Sequence, residues 1–228
     1  MSELKVGSKK AVRTPAVRRT QAQRTEEMRA KLSQAAFEIV AEKGHSAFRT
    51  AAVAARAGVS QGAQVHHFAT KDGLTLAALE YAFAEASRLS RKRLAAIPAG
   101  ANPLPHLLAD LREFFLGTHY WVALDIAIDG SKTDGIKEEI SRIAGEYRGQ
   151  VYANWSRVLV DSGWAASDAE EIVRIAASML GGMGMRSLWE DVTPHLDAVI
   201  ARIEQMIVNT WPLPAALDGK PKRRRTKS

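Results

Sequence analysis

The chain has 228 residues, 46% apolar and 25% charged, with a formal net charge of +7 and no cysteine. That is enough apolar material for a small domain beside a larger one, and it excludes a disulfide framework, a thiol nucleophile and a cysteine-bound metal. No run of about 18 uninterrupted apolar residues offers a membrane span, and no apolar run follows the basic N-terminal residues as in a signal peptide, so a soluble, cytoplasmic protein is expected.

The first segment, 1–24, is rich in Arg, Lys, Thr and Ala, contains Pro15 and has no apolar period, which predicts a disordered arm. Such an arm either tracks phosphates beside a DNA-binding unit or is a solvated tail adding non-specific attraction. Residues 1–25 carry +6, residues 219–228 another +6, and residues 72–218 carry −7. An acidic body behind a mildly basic head suggests that one end docks on nucleic acid while the other faces away.

A first helix is predicted from Glu26, capped by Thr25 and striped by Met28, Leu32, Ala35, Ala36, Ile39 and Val40, ending at Gly44. Residues 25–71 form the expected DNA-binding domain. Within it, Thr50 is expected to cap a short helix whose inward positions are Val53, Ala54 and Ala57. Gly58 supplies the left-handed corner that only glycine adopts cheaply. Val59 packs inward and Ser60 caps a second helix, Gln61 to His67. The pattern is a helix-turn-helix, whose second helix enters the major groove. Phe48 and Phe68 are expected to seal the small core.

Residues 72–217 form the expected larger helical domain. Thr70 caps a long helix running to about Ile97, which belongs to both halves. Pro103 to about His119 forms the next helix, followed by an apolar segment from Tyr120 to Ile128. Ile136 to Val158 marks a long helix ended by Gly163. Ser167 and Glu170 read as a capping box for another helix, and Thr193-Pro194 opens the last, stopped by Trp211-Pro212. No strand pattern appears, so the fold class is all-α with around nine helices. The tail from residue 218 contains KPKRRRTKS, which reads as a weak targeting run or, more simply, a solvated basic tail.

The order Val53-Ala54-x-x-Ala57-Gly58-Val59-Ser60-x-Gly62, then His67-Phe68-x-x-Lys71-x-x-Leu74, resembles the signature of TetR-type transcriptional regulators, over about Met28 to Leu79. Gln61 and Gln64 are expected on base edges, because an amide pairs bidentately with adenine. Gly62 permits close approach, while Arg49, Thr50, Ser60 and Lys71 are placed for phosphates. His66 and His67 lie on the same helix, and the resemblance assigns His67 a backbone contact; a hydrogen bond inside the domain is the plainer role. Where the family usually has tyrosine this chain has Val65, which either packs inside or touches a thymine methyl. Adjacent histidines point about 100° apart on a helix and imply no metal, and no cofactor is expected.

The resemblance further implies a homodimer built on the last two helices and a small-molecule effector inside the body. Gly181, Gly182 and Gly184 are expected to allow close packing with a partner helix, with Met185, Trp189, Ile203, Met206 and Trp211 beside them. For the effector, taken as largely apolar, Tyr81, Phe114, Phe115, Trp121, Tyr147, Trp155, Met179 and Met183 are candidates, each also readable as plain core. Asp125 and Asp129, at i and i+4, form an acidic face that either holds a cationic ligand or is simply solvated. The expected function is a one-component regulator, usually a repressor, that reads a palindromic double-stranded operator and is released by its ligand. An architectural binder driven by the basic tails is the alternative. No phosphate loop, H-E-x-x-H or serine elbow supports an enzyme.

Overall fold

Among the residues that the computed structural model describes, 20–130, 132, 135–215 and 217, the chain forms nine α-helices and no strand. The basic segments 1–19 and 218–228 lie outside them. No helix of the described residues is long and apolar enough to cross a membrane.

The head is built from α1 (Gln21–Lys43), α2 (Thr50–Arg56) and α3 (Gln61–His67). Here α1 begins five residues before the expected Glu26. The reason is a capping box: Gln23 N–H donates to Thr20 Oγ1 at 3.2 Å while the Gln23 side chain accepts from Thr20 N–H at 2.8 Å. Residues 21–24 therefore belong to the helix, with Thr20 as its cap, and not to the arm. Phe48 is fully buried and Phe68 nearly so, closing the small core against Leu32, Ile39 and Val53. Arg56 of α2 makes a fork onto Glu42 of α1, with Nη1 to Oε1 at 2.8 Å and Nη2 to Oε2 at 2.6 Å, and also reaches Glu38.

Next, α4 (Lys71–Ala95) starts with Thr70 accepting from Gly73 N–H at 3.0 Å. It packs against α1 in the head and against α6 and α7 in the body, so one unbroken helix serves both. The body continues with α5 (Leu104–Phe115), α6 (Thr118–Gly130), α7 (Ile136–Asp161), α8 (Ala166–Arg186) and α9 (Leu196–Thr210). The apolar segment after residue 119 is thus a full helix that starts earlier, at Thr118. Ser167 does not cap α8: Ala165 occupies the cap position without a side-chain bond. Thr193 and Pro194 lie in a 3-10 turn before α9, and Asp191 accepts from Thr193 N–H at 3.0 Å.

The body centres on a polar knot in an apolar core. Asp110 is almost wholly buried; its Oδ2 accepts from Ser90 Oγ at 2.6 Å and from the Trp155 indole N–H at 2.8 Å, and its Oδ1 pairs with Arg93 at 2.9 Å. Three helices, α4, α5 and α7, are pinned to one carboxylate.

Candidate nucleic-acid interface and ligand cavities

The corner between α2 and α3 is a Schellman turn. Gly58 has φ +67°, Gly58 N–H donates to Ala55 O at 3.1 Å and Val59 N–H to Ala54 O at 3.0 Å. A Cβ at Gly58 would meet nothing within 4 Å, so the backbone angle alone demands glycine. Ser60 then accepts from Ala63 N–H at 3.1 Å and starts α3. At the other end, Arg29 of α1 donates to His67 O at 2.8 Å and lies 4.3 Å from the Phe68 ring centroid. A seven-residue helix is too short to hold itself, and these two clamps fix its pitch.

The exposed surface of α3 carries Gln61, Gly62, Val65 and His66, with Ser60 before it and Lys71 after it. Gln64 is not among them, which corrects its expected place on base edges. It is 3% exposed, and its amide donates to Phe68 O at 2.8 Å, closing the end of α3. Val65 is 53% exposed, so it does not pack inside. Thr50 is the first helical residue of α2 and not its cap; that position is held by Arg49, whose guanidinium donates to Ser46 O and Phe48 O. The half-buried His67 ring stands edge-on to His66.

Head and body meet at α6. His45, in the 3-10 turn His45–Ala47 after α1, donates its backbone N–H to Asp125 Oδ2 at 2.6 Å. Its ring Nδ1 lies 2.8 Å from Asp129 Oδ2 and its Nε2 3.2 Å from Thr75 Oγ1 of α4. The bond from His45 holds the Asp129 carboxyl below the usual carboxylate range. The two aspartates are therefore neither a free face nor a simple solvated one; they tie the body to the head. Nearby, Phe37 of α1 stacks on His119 of α6 at 5.2 Å. Burial pushes the His119 imidazole below its ordinary value. Trp121 and Asp125 line a cavity of about 390 Å³ at this joint, with Val40 and Gly44 from the head and Leu188 from the turn after α8.

A second cavity, about 200 Å³, lies inside the body between α4, α5, α6 and α7. Leu79, Phe83, Phe114, Phe115, Tyr120 and Tyr152 line it, together with Arg148. The Arg148 guanidinium carbon sits 3.9 Å from the Phe114 ring centroid and 4.8 Å from that of Tyr152. Of the expected effector residues only Phe114 and Phe115 line this space. Tyr147 lies outside it and donates to Glu80 at 3.3 Å, Trp155 belongs to the Asp110 knot, and Met179 and Met183 pack on the core. Arg148, Tyr120 and Tyr152 were missed. The signal was present in the row Ile140, Ala144, Arg148, Tyr152, where one cation interrupts an inward stripe spaced by four.

On the outer face, α8 stays helical through its glycines. Gly181 and Gly184 give room to Phe115 of the same chain, which corrects their expected role against a partner, whereas nothing lies within 4 Å of a Cβ at Gly182. Ile175, Ser178, Gly182 and Met185 form an exposed stripe, Trp189 is exposed in the turn just after the helix, and Val199 and Met206 of α9 are exposed as well. Ile203, by contrast, is 2% exposed and belongs to the chain's own core.

Residues 32–78 match the family described as bacterial regulatory proteins, tetR family. The HTH-type transcriptional regulator CymR of Pseudomonas putida is 38% identical over 173 residues, spanning 76% of this chain and 85% of that protein. An HTH-type regulator of Mycobacterium tuberculosis is 31% identical over 134 residues, 59% of this chain and 69% of its own. Among solved structures, a transcriptional regulator from Rhodococcus sp. Rha1 superposes with a TM-score of 0.62 at 21% identity, covering 82% of this chain and 98% of that one. The multidrug binding protein EbrR does so with a TM-score of 0.55 at 23% identity, covering 82% and 96%. With the Schellman corner and the all-helical body in place, the chain belongs to the TetR family of bacterial transcriptional regulators.

Proposed function

We propose that the chain is a homodimeric repressor that reads a palindromic operator and releases it when a small molecule enters the body. The observation that carries this reading is the mechanical continuity from cavity to recognition helix. Leu79 and Phe83 of α4 line the apolar cavity, while the start of the same helix packs on α1 beside α3. Asp125 and Asp129 of α6 hold the head through His45. A ligand that shifts α4 or α6 therefore changes the aim of α3 through α1, which packs on all three.

In the operator-bound form Gln61 addresses a base edge and Val65 a thymine methyl, with Gly62 admitting the sugar-phosphate backbone. Ser60, His66 and Lys71 contact phosphates and fix register. The domains follow the head from 20 to 71 and the body from 72 to 217. The exposed stripe of α8 and the outer face of α9 meet their two-fold copies, with Gly182 as the point of closest approach. A protein of the same fold, EbrR, is described in complexes with imidazole, ethidium and malachite green, which supports a small-molecule role for the body.

Selection of bound sequences from random duplex DNA tests the reading. The expected product is one inverted repeat with half-sites about one helical turn apart, lost in Gln61→Ala with the fold intact. Equal binding to every duplex by both proteins would instead favour a non-specific binder driven by the basic tails.

A further inference from the structure

The geometry of Arg148 points to the ligand: we propose that the cavity takes a small carboxylate with a single-ring or short-chain apolar body, and that Arg148 receives the carboxylate. This rests on the ligand-released reading above and gives that ligand a charge and a size.

An arginine side chain is charged at any physiological pH and has donors only. Two of the Arg148 donors, Nε and Nη2, are shut off from solvent and have no acceptor in the protein. The Arg148 side chain is only part-buried, but leaving these two buried donors unpaired is costly, and such an arrangement persists where a partner arrives later. The nearby acids are already engaged. Asp110 holds Ser90, Trp155 and Arg93, and Glu113 holds the second Arg93 nitrogen at 3.1 Å. Aromatic faces, not a carboxylate, keep Arg148 in place: Phe114, Tyr152 and Phe115 lie 3.9, 4.8 and 5.5 Å from its guanidinium carbon.

Nε and Nη2 form one edge of the guanidinium, the fork that matches the two oxygens of a planar carboxylate. Tyr120 adds a phenol beside the same space, and burial raises its pKa, so it stays a neutral O–H donor. The remaining lining is apolar. At about 200 Å³ the cavity falls below the ~300–1,000 Å³ of sites for drug-sized ligands, which limits the body to about one ring. A cation meets like charge there, and a neutral isostere leaves the two N–H groups unpaired, so both are rejected.

Calorimetric titration of the full chain with benzoate and phenylacetate, against benzamide and benzylamine, tests this. The carboxylates should bind, with the amide and the amine weaker by roughly a hundredfold or more. Arg148→Gln should lose about a hundredfold in benzoate affinity at unchanged far-ultraviolet dichroism. Equal binding of benzamide, preference for benzylamine, binding by none of the four, or full benzoate affinity in Arg148→Gln would each overturn the assignment. Should Arg148→Gln not fold, the acid-against-amide comparison on the unaltered chain decides. Operator release separates the two claims. Arg148-dependent benzoate binding without release of DNA supports the carboxylate site and refutes the ligand-released reading. Release only by neutral or cationic compounds does the reverse.

Discussion

Asp110 shows how much a single carboxylate organises. Replacing it with alanine removes the buried acceptor of the Ser90 hydroxyl, leaves the Trp155 indole only its longer bond to Ser90 Oγ at 3.3 Å, and leaves Arg93 with Glu113 alone. Leaving such groups unmade costs about 1–3 kcal/mol each, so Asp110→Ala should lose about 3 kcal/mol in urea unfolding. His119 gives a pH dependence whose sign is fixed by burial. Its folded pKa lies below its ordinary value because charging it means desolvating it against Phe37. The unfolded chain therefore takes the proton first, and stability should fall as pH drops through about 6.5, the ordinary histidine value. His119→Gln should flatten that part of the stability profile relative to the parent; an unchanged slope would assign the effect to other groups. Local chemistry made the Gly58 corner and the Ser60 cap readable from sequence, since both depend only on neighbours in the chain. The roles of His45 and Gln64 were not readable. His45 finds Asp125 and Asp129 across 80 and 84 residues, and Gln64 turns inward because the short α3 needs its end closed.

At the level of helices, the periodic stripes located every long element except α6, which read only as an apolar segment, and the other errors gathered at helix ends. Thr25, Ser167 and Thr193 all looked like caps, but the first turn of α1 was taken by Thr20 and Gln23, and that of α8 by no side chain. Any hydroxyl or amide within a few residues of a helix start competes for that place, and tertiary packing decides among them. The joint between α1 and α6 is where such packing acquires a consequence for regulation. His45→Ala removes the ring bonds to Asp129 and Thr75 but leaves the apolar cavity, whose lining does not include His45. Ligand affinity in titration should stay within about threefold, a change under 1 kcal/mol. The ligand concentration needed to free operator DNA should rise, because the body has lost one grip on the head. Identical release curves for His45→Ala and parent would remove this joint from the mechanism.

For the molecule as a whole, the proposed function needs two surfaces: exposed apolar residues on and after α8 for a second copy, and the exposed face of α3 for DNA. Met185 on the stripe of α8 and Trp189 in the turn after it are 37% and 68% exposed, and a charge buried there would be hard to accommodate in the proposed two-fold seam. Met185→Glu should shift sedimentation equilibrium from dimer to monomer and abolish binding to an inverted repeat, while leaving the helical content of each subunit intact. A dimer that survives this change and a second one, Trp189→Ala, would place the seam elsewhere. The unbroken course of α4, 25 residues from Lys71 to Ala95, has a geometric consequence of its own. A rigid rod of that size is about 37 Å long, and pivoting it by about 5° sweeps its far tip by about 3 Å. That is close to the 3.4 Å separating successive base pairs. Two heads displaced in opposite senses would fall out of step with an inverted repeat by nearly two rungs of the duplex, although neither subunit had unfolded or come apart.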